Sequence, residues 1–391
     1  MEKIGVVVSG GGAKGAYQIG VWKALRKLKI KYDVVTGTSA GALNGLLFVQ
    51  NEYRKAKKIW ENIDYNYVFN NPEKLNEDPD NTYAAYTTYF NEAIKNGGMK
   101  VEKLEKQIEK IFNEKKFRSS KVDFGIITFN LTKFKPKILK KQELTKDNIK
   151  DYISASSCFF PAFKLKKIDG MSYIDGGVYD NLPINLCEEL GATKIIAVDT
   201  KAIGVKKKVK NENLEIITIA PNNKIIPLLV FEKKLAIQTM KYGYNDAMKV
   251  FGKYFGKKFT YKIKPFIKFE KKTKFNQKIT EFIKEFSYKN ETEIIEQLLE
   301  PELIDIIEYT GIIFEQQQEK IYNIKKYNKQ ILKKLKNINE TSNYENQNLI
   351  INIKSIINQI YTKNKKEIQK IIRKTPKEFL VAFYLYTITK K

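Results

Sequence analysis

Apolar and polar positions alternate between two periods along the first 220 or so residues of this 391-residue chain. Residues 3–8 carry the apolar run Ile4-Gly5-Val6-Val7-Val8, the pattern of a strand buried on both faces. Residues 16–29 switch to helical spacing, with Ile19, Trp22, Leu25 and Leu28 on one face. Val34-Val35 predicts a second short strand ending at Gly37, and Leu43, Leu46 and Leu47 predict a helix after it. Residues 52–62 read as a further helix, 66–82 as a loop rich in Asn, Asp and Pro, and 83–94 as a helix studded with Tyr and Phe that Gly97-Gly98 breaks. An amphipathic helix over 101–112 follows, then strands over 122–129 and 135–140, a helix over 146–156, and strands over 171–174, 194–199 and 214–219. Strands alternating with helices predict an α/β fold on a mainly parallel sheet wrapped by helices.

The pattern changes after about residue 250. Residues 258–269 alternate loosely through Phe259, Tyr261 and Ile263 and then meet Pro265. From about 275 the spacing is almost all helical. Residues 291–336 can hold two helices with a break near Pro301 or Gly311, and 350–360 and 376–388 are further candidates. No repeat of fixed period is present. The expected division is an α/β unit over 1–250 and a lysine-rich, mostly helical domain or cap over 251–391; the length is ample for one large core plus an appendage.

Charge adds to this division. The net charge is +27, but residues 1–200 hold 32 basic and 24 acidic side chains, whereas 201–391 hold 39 and 20. The excess is nearly all lysine. It reads either as a solvated lysine-rich surface or as attraction to anionic lipid head groups. Nucleic acid ranks third, because no nucleic-acid module is recognised. Cys158 and Cys187 form no close-spaced motif and read as buried small apolar residues in a reducing compartment. With no histidine and two cysteines, no metal cluster is expected, and no cofactor is called for. The first strand leaves no room for a signal peptide, and the apolar run over 379–388 falls short of the ~20 residues a bilayer needs. That run reads as a buried helix or, alternatively, a monotopic foot. A cytoplasmic protein with peripheral membrane contact is the expectation.

The missing histidine matters most beside Gly37-Thr38-Ser39-Ala40-Gly41, a G-x-S-x-G motif at a predicted strand–turn–helix junction. A Ser-His-Asp triad needs an imidazole that this chain cannot supply. Either Ser39 is idle or a carboxylate acts on it directly. Gly37, Ala40 and Gly41 are small enough for a tight elbow, and the following helix points its positive end at Ser39. Gly10-Gly11-Gly12-Ala13-Lys14-Gly15 can turn successive backbone N–H groups into one anion-binding hollow, an oxyanion hole in acyl transfer. The same string matches the dinucleotide pattern at Gly10, Gly12 and Gly15, but the second strand leads into the Ser39 motif and not to an acidic residue poised for a ribose. The phosphate-binding P-loop pattern fails, since Gly15 is followed by Ala16-Tyr17. Asp175-Gly176-Gly177 is an ordinary turn signal; with a base required and no histidine, Asp175 becomes the candidate. Asp180 is the near alternative, ranked well below it, and Asp199 at a strand end reads as structural.

These blocks resemble the signature blocks of patatin-like phospholipases: Val8-Ser9-Gly10-Gly11-Gly12-Ala13-Lys14-Gly15, Gly37-Thr38-Ser39-Ala40-Gly41 and Asp175-Gly176-Gly177. Ala155-Ser156 with Pro161, and Asn181-Leu182-Pro183, resemble the segments that flank the aspartate block. The resemblance covers roughly residues 3–220. It implies a three-layer α/β/α fold and a lipid acyl hydrolase acting on phospholipid or lysophospholipid, with Ser39 as nucleophile and Asp175 as base. Gly10, Gly11, Gly12 and Ala13 would form the oxyanion loop, supported by Lys14, Gly15, Gly37, Gly41, Gly176 and Gly177. Lys14 stands where many members carry arginine, keeping the charge but losing the bidentate fork. It faces solvent, or supports the site or a head group. Tyr83, Tyr86, Tyr89 and Phe90 are a core stripe or a lid over an acyl chain. A soluble carboxylesterase or thioesterase on the same two residues, and a non-catalytic lipid- or nucleotide-binding module, are the alternatives. Oligomeric state is not specified by any of these features.

Overall fold

Parallel strands need apolar side chains on both faces, and the strands at the centre of this sheet have them. The computed structural model describes residues 2–69, 91, 94–95, 97–100, 102–286, 296, 298–338 and 345–389, and divides into two units, Met1–Val250 and Phe251–Lys391. In the first unit β1 (Ile4–Val8) lies between β2 (Val34–Thr38) and β7 (Lys194–Val198), parallel to both. With β3 (Asp123–Asn130), β4 (Lys135–Lys140), β5 (Lys166–Ile168), β6 (Met171–Asp175) and β8 (Glu215–Ile219) they make an eight-stranded sheet in the order β5-β6-β3-β2-β1-β7-β8, with β4 also paired to β3. The β1, β2, β7 and β8 pairings and that of β2 with β3 are parallel; β3–β4, β3–β6 and β5–β6 are antiparallel.

Helices cover both faces. On one side Ile184 and Cys187 of the helix Ile184–Glu189 pack with Val7, Val34, Ile195 and Ala197. On the other lie α1 (Gly15–Lys27) and α2 (Ala40–Val49), joined where Trp22 stacks on Phe48 with ring centres 4.0 Å apart. The helix Lys233–Val250 is tied to α1 by the Tyr17 hydroxyl, which donates to Asp246 at 3.0 Å. This is a three-layer α/β/α arrangement on a mainly parallel sheet.

Register fixes the most consequential feature. β4 occupies one edge of β3 along Gly125–Asn130. The opposite edge is therefore shared. β2 runs parallel to β3 and ends with Thr38 opposite Ile127, while β6 runs antiparallel and ends with Asp175 opposite Thr128. The two strands run toward each other along one edge of β3, and their C-terminal ends abut.

Among its described residues the second unit is mostly helical, with helices at Ile263–Thr273, Phe275–Phe286, Leu303–Ile313, Ile324–Asn337, Gln347–Thr362, Lys365–Lys374 and Pro376–Thr389, and a parallel two-stranded ladder between Thr260–Tyr261 and Ile321–Tyr322. The run over 379–388 is a core helix, with every residue from Phe379 to Leu385 buried. No helix among the described residues is long and apolar enough to cross a membrane. Two expectations are corrected here. The loose alternation over 258–269 yields only a two-residue strand, and Pro265 sits in the first turn of the helix Ile263–Thr273, where its missing N–H has no helical partner to lose. Gly311 does not break a helix: it lies inside Leu303–Ile313, where a side chain would collide with the Tyr327 hydroxyl. Pro301, the other expected break point, does lie in a non-helical stretch just before Leu303, and a second gap runs from Phe314 to Asn323.

Candidate active site

Ser39 occupies the one-residue turn between β2 and α2, with φ 57° and ψ −128°, a backbone state that a residue with a side chain adopts only under strain. The strain is held by hydrogen bonds. The Ser39 N–H donates to the Ser156 hydroxyl at 3.0 Å, and that hydroxyl donates to the Ile127 carbonyl at 2.7 Å. The turn also needs Gly41, where a Cβ would lie 2.2 Å from the Val8 carbonyl oxygen. Ser39 is 8% exposed.

Asp175 ends β6, against the end of β2, and is 4% exposed. Its Oδ1 accepts the Gly177 N–H at 2.8 Å. Burial pushes its carboxyl up to about 6, with hydrogen bonds from the Ser39 hydroxyl and the Gly177 N–H pulling partway back. A carboxylate in this setting is a stronger base than one in water.

The glycine loop closes the site from β1. Its four candidate N–H groups are not equivalent. That of Gly10 donates to the Asn181 carbonyl at 3.0 Å and that of Ala13 to the Leu228 carbonyl at 2.7 Å. Both are engaged in holding the loop, which leaves Gly11 and Gly12 as the candidate donors among the four. These two line the same cavity as Ser39 and Asp175. Gly12 takes φ 49°, and a Cβ there would lie 2.2 Å from the Leu228 carbonyl oxygen. A buried polar chain braces the loop from behind. Trp60 Nε1 donates to Asn44 Oδ1 at 2.9 Å, Asn44 Nδ2 donates to Gln18 Oε1 at 2.8 Å and to the Gly15 carbonyl at 3.0 Å, and Gln18 Nε2 donates to the Ser9 carbonyl at 2.6 Å.

The cavity has a volume of about 540 Å³, within the ordinary range for a small-molecule site. Its walls are apolar, among them Leu43, Ile59, Trp60, Leu104, Phe163 and Phe231. Polar side chains in the lining are Ser39, Asp175, Ser157, Asn181 and Tyr67. The Ser157 hydroxyl is buried with no hydrogen-bond partner among the described residues.

Residues 6–187 match the family described as patatin-like phospholipase. That stretch, a little under half of the chain, is similar to a patatin-like phospholipase domain. Lysophospholipase nte1 of Aspergillus terreus is 29% identical over 211 residues, 52% of this chain and 12% of that protein. Patatin-like phospholipase domain-containing protein 6 of Homo sapiens is 28% identical over 199 residues, 50% of this chain and 13% of that protein. The match thus spans about an eighth of the length of these curated relatives. Among solved structures, VipD from Legionella pneumophila is similar with TM-score 0.43 and 13% identity, over 99% of this chain and 92% of that one.

Of the remaining candidates, Gly177 also lines the cavity, and the others lie apart from its lining or outside the described residues. Lys14 donates to the Lys201 carbonyl at 3.3 Å, and burial lowers its pKa against the pull of Asp199. Asp180 is buried in a turn, its Oδ1 accepting the Leu182 N–H at 3.2 Å, and burial raises its pKa. Asp199 pairs with Lys206 at 2.6 Å. Gly15, Gly37 and Gly176 are sites of close approach: added side chains would collide with Trp60, the Gly41 backbone and the Ile127 carbonyl. Gly177 supplies the N–H to Asp175. Tyr83, Tyr86, Tyr89 and Phe90 fall outside the described residues. In the sequence Ser156 stands only as part of a block, and no motif marks Asn44 or Gln18. The signal for Asn44 was available: it is the sole polar side chain in the ten-residue helix AGALNGLLFV.

Proposed function

We propose that this chain is a lipid acyl hydrolase that cleaves carboxylic esters of phospholipids or lysophospholipids through Ser39 and Asp175. One observation carries the reading: a strained, buried serine and a buried aspartate of raised pKa share one apolar cavity with two glycine N–H groups that have no hydrogen-bond partner among the described residues. The Ser39 hydroxyl attacks the ester carbonyl carbon and passes its proton to the Asp175 carboxylate. The Gly11 and Gly12 N–H groups and the N-terminus of α2 stabilise the oxyanion. The tetrahedral intermediate collapses to an acyl-serine, and the alcohol leaves with the proton from Asp175. Water then attacks the acyl-serine, giving its proton to Asp175, and fatty acid departs as Ser39 is restored.

The lining supports a lipid over a short soluble ester. An acyl chain in this cavity displaces water from apolar walls at about 0.8 kcal/mol per buried CH₂. A peripheral approach to anionic membrane fits the lysine excess.

Labelling with a fluorophosphonate, read by intact mass and peptide mapping, tests the reading. The expected result is a single adduct on Ser39, absent in Ser39→Ala and strongly slowed in Asp175→Asn, with parallel loss of lysophospholipid hydrolysis. Ester turnover near the wild-type rate in both variants would refute it.

A further inference from the structure

Among the described residues twelve large hydrophobic side chains are exposed, and three of them, Val178, Ile203 and Val205, also line the cavity that holds Ser39 and Asp175. Side chains that face both the cavity and solvent stand at its mouth. Ile203 is 76% exposed, Val178 48% and Val205 47%. This exposure does not come from slack backbone. The Val205 N–H donates to the Gly177 carbonyl at 2.8 Å, the Asn181 N–H donates to the Val205 carbonyl at 2.6 Å, and Asn181 Nδ2 donates to the Ile203 carbonyl at 3.4 Å. The loop is clamped at and beside Ile203 and holds that side chain outward. An apolar rim continuous with an apolar cavity is unfavourable in water and favourable against an apolar phase. The same segment is basic: residues 199–212 carry five lysines against two acidic side chains, with Lys207 Nζ 4.1 Å from the centre of the Tyr179 ring.

We propose that the loop over residues 201–208, together with Val178, docks the patatin-like unit mouth-first on an anionic lipid interface. Ile203, Val205 and Val178 enter the acyl region while the lysines meet phosphate. An acyl chain then passes from the bilayer into the cavity without crossing water. The purpose of the docking rests on the hydrolase reading; the docking itself is measurable without turnover. The rival surface is the helix Ile263–Thr273 of the second unit, where Lys264, Lys268, Lys271 and Lys272 surround Ile267. It is basic, but it offers a single exposed apolar side chain.

The test uses full-length Ser39→Ala protein, which leaves vesicles unhydrolysed, carrying an NBD label at Ile203→Cys; Cys158 and Cys187 are both buried. The label is read on phosphatidylcholine vesicles with and without phosphatidylglycerol. We expect NBD emission to rise severalfold and shift blue on the anionic vesicles, with little change on phosphatidylcholine alone. A label at Phe134→Cys, on an exposed turn of the same unit, should stay flat. Ile203→Asp should lower vesicle cosedimentation by about tenfold with an unchanged thermal melt. Three results overturn the proposal: no cosedimentation with anionic vesicles, cosedimentation with no emission change at position 203, or a rise at Ile267→Cys in place of it. Fluorophosphonate labelling of the wild-type protein without lipid separates the two claims. Labelling without docking sinks only this proposal, and docking without labelling sinks only the hydrolase reading.

Discussion

Replacing Asp175 by asparagine should stabilise the protein while removing its activity. The cavity lifts the Asp175 carboxyl from 3.8 to about 6, so at neutral pH the charged form is disfavoured in the folded state by about 3 kcal/mol. Asparagine keeps the shape, and its oxygen can still accept the Gly177 N–H, but it carries no charge to desolvate. The sign follows from linkage. Because the folded pKa lies above the unfolded one, the folded state retains the proton longer, and wild-type stability falls as pH climbs from about 4 to about 6, then levels off. The advantage of Asp175→Asn should therefore be about 1 kcal/mol at pH 4.5 and about 3 kcal/mol at pH 7.5. Thermal melts at the two pH values read the difference; about 3 kcal/mol corresponds to roughly 6–12 °C for a unit of this size. In parallel, wild-type kcat/KM should rise tenfold per pH unit below about 6 and flatten above it, and the variant should lose about 10²–10⁴-fold. A variant no more stable than wild type at pH 7.5, or a stability gap that fails to widen between the two pH values, would refute the reasoning. A wild-type pH–rate profile centred near 4 would show that Asp175 titrates as a solvated carboxyl.

Ser156→Ala removes the acceptor of the Ser39 N–H and the donor to the Ile127 carbonyl; it should cost about 2 kcal/mol in chemical unfolding and lower kcat about 10- to 100-fold with KM little changed. Gly12→Ala forces a Cβ against the Leu228 carbonyl at positive φ, and steady-state kinetics should show kcat down about 10²–10³-fold, as for a displaced oxyanion donor. Trp60→Ala opens the cavity wall and leaves Asn44 Oδ1 unpaired; it should destabilise by about 3–5 kcal/mol and shift hydrolysis toward bulkier acyl chains in a competitive lipid panel.

What the sequence makes legible is local. The elbow and the glycine loop need small residues at adjacent positions because the backbone itself passes too close for a Cβ, and that requirement is written in consecutive letters. The turn after Asp175 is readable for the same reason. Partners distant in sequence are not readable this way. Nothing in Gly10-Gly11-Gly12-Ala13 tells which N–H groups are already engaged, because their acceptors belong to Asn181 and Leu228. Short polar elements are also hidden: β5 is only Lys166-Lys167-Ile168, paired to β6 and too charged to read as a strand. In the second unit Pro265 and Gly311 carry little usable signal from sequence. Pro265 is tolerated in a first helical turn, and Gly311 is required where the Tyr327 hydroxyl approaches.

Under the proposed mechanism, the shared edge of β3 explains how the site does without an imidazole. In a triad the histidine spans a serine and a carboxylate held on separate elements. Here β2 and β6 run head to head, so the residue after one strand comes beside the last residue of the other, and the Ser39 hydroxyl hydrogen-bonds the Asp175 carboxyl directly. The same geometry buries the carboxyl at the end of β6, in the cavity whose apolar walls suit an acyl chain. Burial raises its pKa to about 6. A solvated aspartate near pH 7 would be ionised but weakly basic; one titrating near 6 is still mostly ionised and accepts a proton about a hundredfold more readily. Under the proposed mechanism, the apolar cavity that selects a lipid is therefore also what makes the aspartate basic enough to replace histidine. The two properties should fail together. A polar substitution in the wall, such as Leu43→Asn, should weaken acyl binding and also move the pH–rate midpoint down toward that of a solvated carboxyl.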